Sequence, residues 1–176
     1  MSCTEAGENA SGANHHSNPI LIGFLLAGKH LRAAMPIQDH PPAGTVLLCD
    51  FDQGFKEPEM VKRRPVIVVS PKISVRAGLC TVVALSMEDP RPRMPYHCQI
   101  RLDPPLPEPW GDQLRWVKGD MIYAVGFHRL DFPRIGKDER GRRLYRTAPI
   151  PEDDMRKVRG CVLSALGLGG LTRHLR

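Results

Sequence analysis

The sequence has few cysteines, and no two of them have the spacing of a metal-binding or redox motif. The five are odd in number and widely scattered: Cys3, Cys49, Cys80, Cys98 and Cys161. Without a Cys-x-x-Cys pair, a disulfide framework and a zinc site are both disfavoured, and reduced thiols in a cytoplasmic protein are expected. His15 and His16 have no third ligand nearby, so neither a metal nor another cofactor is predicted.

Long hydrophobic runs are also missing. The apolar stretch from Pro19 to Ala27 is too short to span a bilayer, and only Glu5 and Glu8 precede it as charged residues, which disfavours a signal peptide. No membrane association is therefore expected. We interpret residues 1–34 as a disordered or non-native extension, with Met35 as the natural start and a single domain over residues 35–176.

Proline and glycine are abundant, with 17 and 16 residues, and this favours short strands and many turns over long helices. From Gly44 onward, short apolar stretches alternate with turns, which predicts a compact antiparallel sheet or barrel. The predicted strands are Thr45–Asp50, Val66–Ser70, Leu79–Leu85, His97–Leu102, Trp116–Asp120, Ile122–His128 and Arg143–Thr147. One helix is predicted from Pro151, because acidic residues follow it and Met155 begins a helically spaced apolar stripe that ends near Gly167.

The net charge of +6 lies entirely in the last third of the chain. Residues 1–128 contain 13 basic and 13 acidic residues, whereas residues 129–176 contain 12 and 6. The arginines at 140, 142, 143 and 146 cluster in one turn-rich segment. This pattern is typical of a surface for a polyanion or an acidic protein, and equally of a well-solvated face.

The stretch from Lys62 to Pro71 places cations beside a strand. Val66–Val69 is β-branched throughout and predicts a buried strand, which Pro65 is expected to start. Arg63 and Arg64 then lie where a loop enters the sheet, a position suited to holding a phosphate. Two solvated arginines are the alternative that the residues alone leave open.

These blocks resemble the MazF/PemK ribonuclease toxins of bacterial toxin–antitoxin pairs. The similar segments are Gly44–Asp52, Glu59, Arg64-Pro65 and Val66–Pro71, followed by weaker ones at Val82–Ser86, Val117–Val125 and Gly141–Arg146. The resemblance covers about Met35 to the end of the chain. It implies a mainly β fold, a small SH3-like antiparallel barrel with a C-terminal helix.

The resemblance also implies a catalytic set. Arg64 matches the arginine that stabilises the phosphate, and Ser86 matches a hydroxyl that bonds it. Lys118 and Asp120 occupy the places of an Arg acid and an Asp base, two residues apart and hence on one strand face. Lysine keeps the charge but not the planar fork of arginine. A surface ion pair is the structural alternative for Lys118 and Asp120.

One departure from the family pattern is the lack of a histidine between Asp52 and Arg64. Lys56, Lys62 and Arg63 are expected to substitute for it electrostatically and to bind RNA, and Trp116 to stack an unpaired base. We expect His97 and His128 to be partly buried structural residues, and Trp110 to be as suited to core packing as to stacking.

The function implied by the resemblance is a metal-independent, sequence-specific endoribonuclease toxin. It would cut single-stranded RNA, including mRNA, to a 2′,3′-cyclic phosphate and a 5′-hydroxyl, act as a homodimer and be neutralised by an acidic antitoxin. Two alternatives remain at this point: a non-catalytic RNA-binding relative, and a gyrase poison like CcdB. CcdB binds through a tryptophan near its C-terminus, whereas this chain ends in Leu171–Arg176.

Overall fold

A computed structural model describes residues 37–52 and 54–175. The predicted extension at residues 1–34 and the proposed start at Met35 lie outside the described residues. Eight strands and one α-helix follow in chain order: β1 Val46–Asp50, β2 Arg63–Val68, β3 Leu79–Ser86, β4 His97–Arg101, β5 Leu114–Gly126, β6 Leu130–Asp131, β7 Arg134–Lys137, β8 Arg143–Tyr145 and α1 Glu152–Ala165. Short 3₁₀ helices cover Phe127–Arg129 and Gly169–His174.

Six strands form one antiparallel sheet in the order β4-β5-β3-β2-β1-β6, and β7 and β8 form a separate hairpin. In the described part of the chain, β4 and β6 are the two edge strands of this sheet. The predicted fold class, a small antiparallel β structure with a C-terminal helix, is confirmed.

The β-branched run in β2 supplies both hydrophobic cores of the sheet. Ile67 packs in the core that α1 covers, whereas Val66 and Val68 pack in the core on the other face. All three side chains are completely buried. The predicted buried strand is thus confirmed. Its apolar side chains are removed from water on both faces of the sheet, which stabilises the fold.

The prediction that Pro65 starts β2 is wrong. The strand begins at Arg63, and Pro65 pairs with Leu48 of β1. Proline has no N–H to give to a neighbouring strand, and the ladder between β2 and β3 starts only at Val66, opposite Ala84. Arg63 and Arg64 are therefore strand residues rather than loop residues, at the end where β2 and β3 no longer pair.

Two predicted strands, Trp116–Asp120 and Ile122–His128, are a single strand with a bulge. Ile122 of β5 pairs with Val83, but the next residue of β3, Ala84, pairs with Lys118. Residues 119–121 consequently have no partner on β3. Such a bulge bends a strand and turns its side chains away from the regular alternation.

Helix α1 begins directly after Pro151, with three acidic residues in its first turn. It ends before Gly167, whose φ of +74° suits a helix terminus. Met155, Val158 and Cys161 are buried against the sheet. The predicted helix and its apolar stripe are confirmed. None of the helices in the described ranges has the length and the apolar character needed to cross a membrane.

The arginines of the C-terminal third do not form one free basic surface. Arg146 is buried, with a guanidinium N–H donated to the carbonyl oxygen of Pro104 at 2.9 Å. Burial lowers the pKa of Arg146, and the charge of Asp103 opposes this. Arg142 pairs with Asp138 at 2.7 Å. Arg142 and Arg146 are therefore engaged within the protein.

Candidate active site

One cavity brings together all four residues predicted to be catalytic. It has a volume of about 510 Å³, within the range of small-molecule sites. Arg64 comes from β2, Ser86 from the end of β3, and Lys118 and Asp120 from β5. These strands are neighbours in the sheet, because β3 pairs with β2 on one side and with β5 on the other.

The guanidinium of Arg64 is only partly engaged. Its Nε–H donates to the carbonyl oxygen of Val61 at 3.4 Å, and its two terminal nitrogens contact no acceptor among the described residues. The side chain is half-buried, on a backbone that pairs with Cys49 of β1. Arg64 thus presents fixed, unpaired donors to the cavity, as phosphate recognition requires.

Ser86 has both the functional and the structural features that the sequence suggested. Its Oγ accepts the backbone N–H of Glu88 at 3.1 Å, so it closes the turn that follows β3. A hydroxyl that accepts one hydrogen bond still has its own proton to donate. Ser86 can therefore cap the turn and donate to a ligand oxygen in the cavity.

Lys118 and Asp120 flank Gly119 in the bulge of β5. The Gly119 N–H donates to the carbonyl oxygen of Tyr96 at 2.9 Å. A Cβ on Gly119 would lie 2.7 Å from the Cys161 carbonyl carbon and from the Tyr96 oxygen. Up to Asp120 the strand alternates regularly, with Arg115, Val117 and Gly119 buried on one face. Lys118 and Asp120 lie on the other face and both line the cavity, as their spacing predicts.

The ammonium of Lys118 makes no hydrogen bond or ion pair within the described residues, and the carboxylate of Asp120 is partly exposed. The predicted alternative, in which these two side chains pair with each other on the surface, is not what the structure has. The cavity also contains Arg91 and Glu88, so three cationic and two carboxylate side chains line it. This balance favours an anionic ligand.

His97, for which a structural role is predicted from the sequence, also lines the cavity. It is the first residue of β4 and lies opposite Lys118 in the ladder to β5. Its Nε2 is 3.6 Å from Oδ1 of Asp120. Its place in the site follows from its pairing with Lys118. That pairing depends on the register between β4 and β5, which a single sequence does not reveal.

None of the four residues predicted to bind RNA is part of the cavity lining. Lys56 and Lys62 are exposed in the loop between β1 and β2. Arg63 pairs with Asp131 of β6 at 2.5 Å. Burial raises the pKa of Asp131, and the charge of Arg63 partly offsets this. Arg63 and Arg64 are therefore adjacent in sequence but have different partners.

Trp116 lies beside the cavity, directly opposite Ser86 in the β3–β5 ladder. The guanidinium carbon of Arg93 is 4.8 Å from the centre of its ring. Asp89 fixes that guanidinium through two hydrogen bonds, of 2.9 and 2.6 Å, which hold the pKa of Asp89 below its usual range. One face of Trp116 thus already carries a cation. Trp110 packs against the core that α1 covers.

In the described ranges, no three histidine, cysteine or acidic side chains come together as metal ligands. The thiols of Cys49 and Cys80 are poor ligands and poor nucleophiles, since burial raises the pKa of Cys49 to about 12 and that of Cys80 to about 11. The chemistry of the cavity thus rests on its carboxylate, hydroxyl, imidazole and cationic groups.

The chain is similar to several known proteins. An uncharacterized protein of Haemophilus influenzae is 29% identical over 149 residues, which cover 78% of this chain and 98% of the relative. A mycobacterial endoribonuclease in complex with its cognate antitoxin is 22% identical, with a TM-score of 0.49, and the match covers 73% of this chain and 97% of that one. MazF from Deinococcus radiodurans is 25% identical, with a TM-score of 0.46 and coverages of 73% and 99%.

A family model gives the assignment. The model for the PemK-like, MazF-like toxin of type II toxin–antitoxin systems matches residues 43–166. The matched segment includes β1 to β8 and α1, and with them every residue that lines the cavity. The chain therefore belongs to the PemK-like, MazF-like toxin family of type II toxin–antitoxin systems.

Proposed function

We propose that this toxin is a metal-independent endoribonuclease that cuts single-stranded RNA in the cavity between β2, β3 and β5. The observation that carries the proposal is the convergence of Arg64, Ser86, Lys118 and Asp120 on one cavity of about 510 Å³. These groups meet the needs of RNA cleavage without a metal: a base, an acid, and donors for the charged phosphate.

The reaction follows from these four side chains. Asp120 accepts the proton of the 2′-hydroxyl as the 2′-oxygen forms a bond to phosphorus. Arg64 and the Ser86 hydroxyl donate to the non-bridging phosphate oxygens, where negative charge develops. Lys118 gives a proton to the departing 5′-oxygen. The bond between phosphorus and the 5′-oxygen breaks, leaving a 2′,3′-cyclic phosphate and a 5′-hydroxyl.

Single-stranded RNA is the substrate that best fits the surroundings of the cavity. The Arg93 guanidinium is held in place by Asp89 and Trp116, and its side chain remains 65% exposed. A fixed guanidinium plane on an aromatic ring offers a stacking surface to an unpaired base. Lys56 and Lys62 are exposed in the β1–β2 loop beside Glu57 and Glu59, and their ammonium groups would contact the RNA backbone.

Membership in a toxin–antitoxin family supports a cognate antitoxin as protein partner, with acidic segments that compete with RNA for the cationic cavity. It equally supports a homodimer in the cytoplasm. Both assignments are tested directly by the mass of the purified protein in solution and by co-purification with the product of the neighbouring gene.

The decisive experiment incubates the full chain with a long unstructured RNA in EDTA and maps the cut ends. We expect discrete cuts at a recurring short motif. Arg64→Ala should reduce cleavage by about 10²–10³-fold, the loss typical of one charge-stabilising donor. Arg63→Ala is the matched control, because it removes the same side chain one residue away, outside the cavity, and should cut within a few-fold of the wild-type rate.

Three outcomes would contradict the proposal. Cleavage that needs a divalent metal would refute the proton-transfer scheme, and equal losses in the Arg63 and Arg64 variants would refute the placement of the site. Binding of RNA without any cutting would identify a non-catalytic relative, and a gyrase-supercoiling assay would then test the CcdB-like alternative.

A further inference from the structure

His97 is held more tightly than a histidine with a merely structural role requires. Its side chain is only 8% exposed, although its ring forms part of the cavity wall. The ring of Tyr96 packs edge-on against it, with ring centres 4.6 Å apart. These contacts fix the ring orientation, so each of its nitrogens has a defined direction.

The two ring nitrogens have different surroundings. Nδ1 accepts the backbone N–H of Met94 at 3.2 Å. A neutral imidazole has one donor and one acceptor nitrogen, so in this arrangement the ring proton is on Nε2. That Nε2–H faces Oδ1 of Asp120 at 3.6 Å. The distance is beyond a hydrogen bond, but catalytic hydrogen bonds are often long before substrate binds and tighten afterwards.

We propose that His97 is a positioning residue, a neutral Nε2–H donor that orients the Asp120 carboxylate toward the 2′-hydroxyl of the RNA. The proposal rests on the proposed function and adds a residue from β4 to it. The Asp120 oxygen that accepts the hydrogen bond from His97 Nε2–H is held in place, and the other oxygen is directed to the substrate. The Asp120 side chain is 43% exposed, so a partner that orients it matters, because a misplacement of about 1 Å can cost about 10²-fold in rate.

The other charged groups around His97 do not replace this contact. Lys118 of β5 lies opposite it in the ladder, and Arg64 of β2 lines the same cavity. Glu88 and Arg91, in the loop after β3, complete the charged lining. Among the described residues, Asp120 is the one whose carboxylate lies within 4 Å of a ring nitrogen of His97. The imidazole therefore acts through Asp120, and Lys118 gives the proton to the departing 5′-oxygen.

The test compares two substitutions of the same residue. In His97→Gln, the side-chain oxygen can accept the Met94 N–H and the amide N–H can donate to Asp120. We therefore expect this variant to cut RNA within about fivefold of the wild-type rate. His97→Leu has neither group and should lose about 10–100-fold in kcat with little change in KM, since the phosphate donors remain. His128→Gln is the matched control, an exposed histidine outside the cavity.

A double-mutant comparison separates positioning from simple structural support. Once Asp120→Asn has removed the carboxylate, His97→Leu should cause no further loss, because its effect passes through Asp120. Additive losses would overturn the proposal. Equal inactivity of the Gln and Leu variants would also overturn it, since it would mean that the imidazole itself transfers a proton. If the Leu variant fails to unfold cooperatively, His97→Asn takes its place, because its amide is too short to reach Asp120.

A spectroscopic measurement is independent of cleavage. Nitrogen-15 NMR of the imidazole in the wild-type protein should show the proton on Nε2, and Asp120→Asn should shift that resonance. A proton on Nδ1, or no response to Asp120→Asn, would refute the proposal even if the protein cuts RNA. Absence of RNA cutting together with the expected spectrum would refute the proposed function and leave the His97–Asp120 contact established.

Discussion

Gly119 is the residue on which the position of the bulge depends, and Gly119→Ala should both destabilise the protein and impair the site. A Cβ at this position would lie 2.7 Å from the Cys161 carbonyl carbon, 2.7 Å from the Tyr96 carbonyl oxygen and 2.8 Å from the Cys161 Cβ. Real Cβ contacts are longer, and two of these three neighbours are backbone atoms. Relief therefore requires α1 or the turn before β4 to move as a unit.

The expected cost is about 2–3 kcal/mol, in the upper part of the range for overpacking a well-packed region. For a chain of this size, that corresponds to a decrease in Tm of about 4–12 °C. The same displacement would move Lys118 and Asp120, so RNA cleavage by the folded variant should fall by about 10²-fold. Urea unfolding followed by circular dichroism, at constant m-value, measures the first effect.

Gly136→Ala is the matched control for this experiment. Gly136 also lies in a strand, β7, but nothing lies within 4 Å of the Cβ that alanine would add. We expect its free energy of unfolding to stay within about 0.5 kcal/mol of wild type. If the Gly119 and Gly136 variants unfold at the same urea concentration, a Cβ at position 119 does not clash with α1 and Tyr96, and the predicted loss of stability is refuted.

Two further predictions concern titration. Burial raises the pKa of Cys49 to about 12 and that of Cys80 to about 11. Neither thiol should therefore react with iodoacetamide in the native protein at pH 8, whereas both should react in urea. Mass spectrometry of the labelled peptides measures this difference. The side-chain and backbone N–H groups of Arg142 hold the pKa of Asp138 below its usual range, so the contribution of Asp138 to the β7–β8 turn is present above about pH 4 and is lost as pH falls through the lowered pKa. NMR shifts of the Arg140 and Arg142 amides should report this loss, and Asp138→Asn should abolish their pH dependence.

Local patterns in the sequence were enough to predict most of the elements. The β-branched run at Val66, the acidic first turn after Pro151 and the apolar stripe from Met155 depend on side chains within one element. The structure confirms them, because intrinsic preference and burial favour the same conformation there. Pro65 was misjudged for a related reason: proline is tolerated within β2 because its missing N–H falls where the ladder to β3 has not yet begun.

The candidate site was predictable only in part. Arg64, Ser86, Lys118 and Asp120 came from the family resemblance, and the structure brings them to one cavity. The shared face of Lys118 and Asp120 followed from their spacing. The bulge next to them could not be predicted, since it results from a difference between β5 and its partner β3, which are far apart in sequence. His97 was missed because its relation to Asp120 exists only after β4 has paired with β5.

Surface charge was the least predictable property. The basic residues of the C-terminal third suggested one binding surface, yet Arg146 is buried and bonds a carbonyl oxygen, and Arg142 is taken up by Asp138. Adjacent Arg63 and Arg64 behave differently, since only the first has a carboxylate partner. Net charge counts such residues equally, and only their partners show which cations remain available to a ligand.

The three unpaired residues of β5 have a consequence for how this toxin can change over generations. The pairing partners on either side of Gly119–Met121, Lys118 and Ile122, lie opposite consecutive residues of β3. An in-frame deletion of the intervening codons would therefore leave the order of the sheet unaltered while removing Asp120. A change in length could thus remove a proposed catalytic residue without any substitution elsewhere in the sheet.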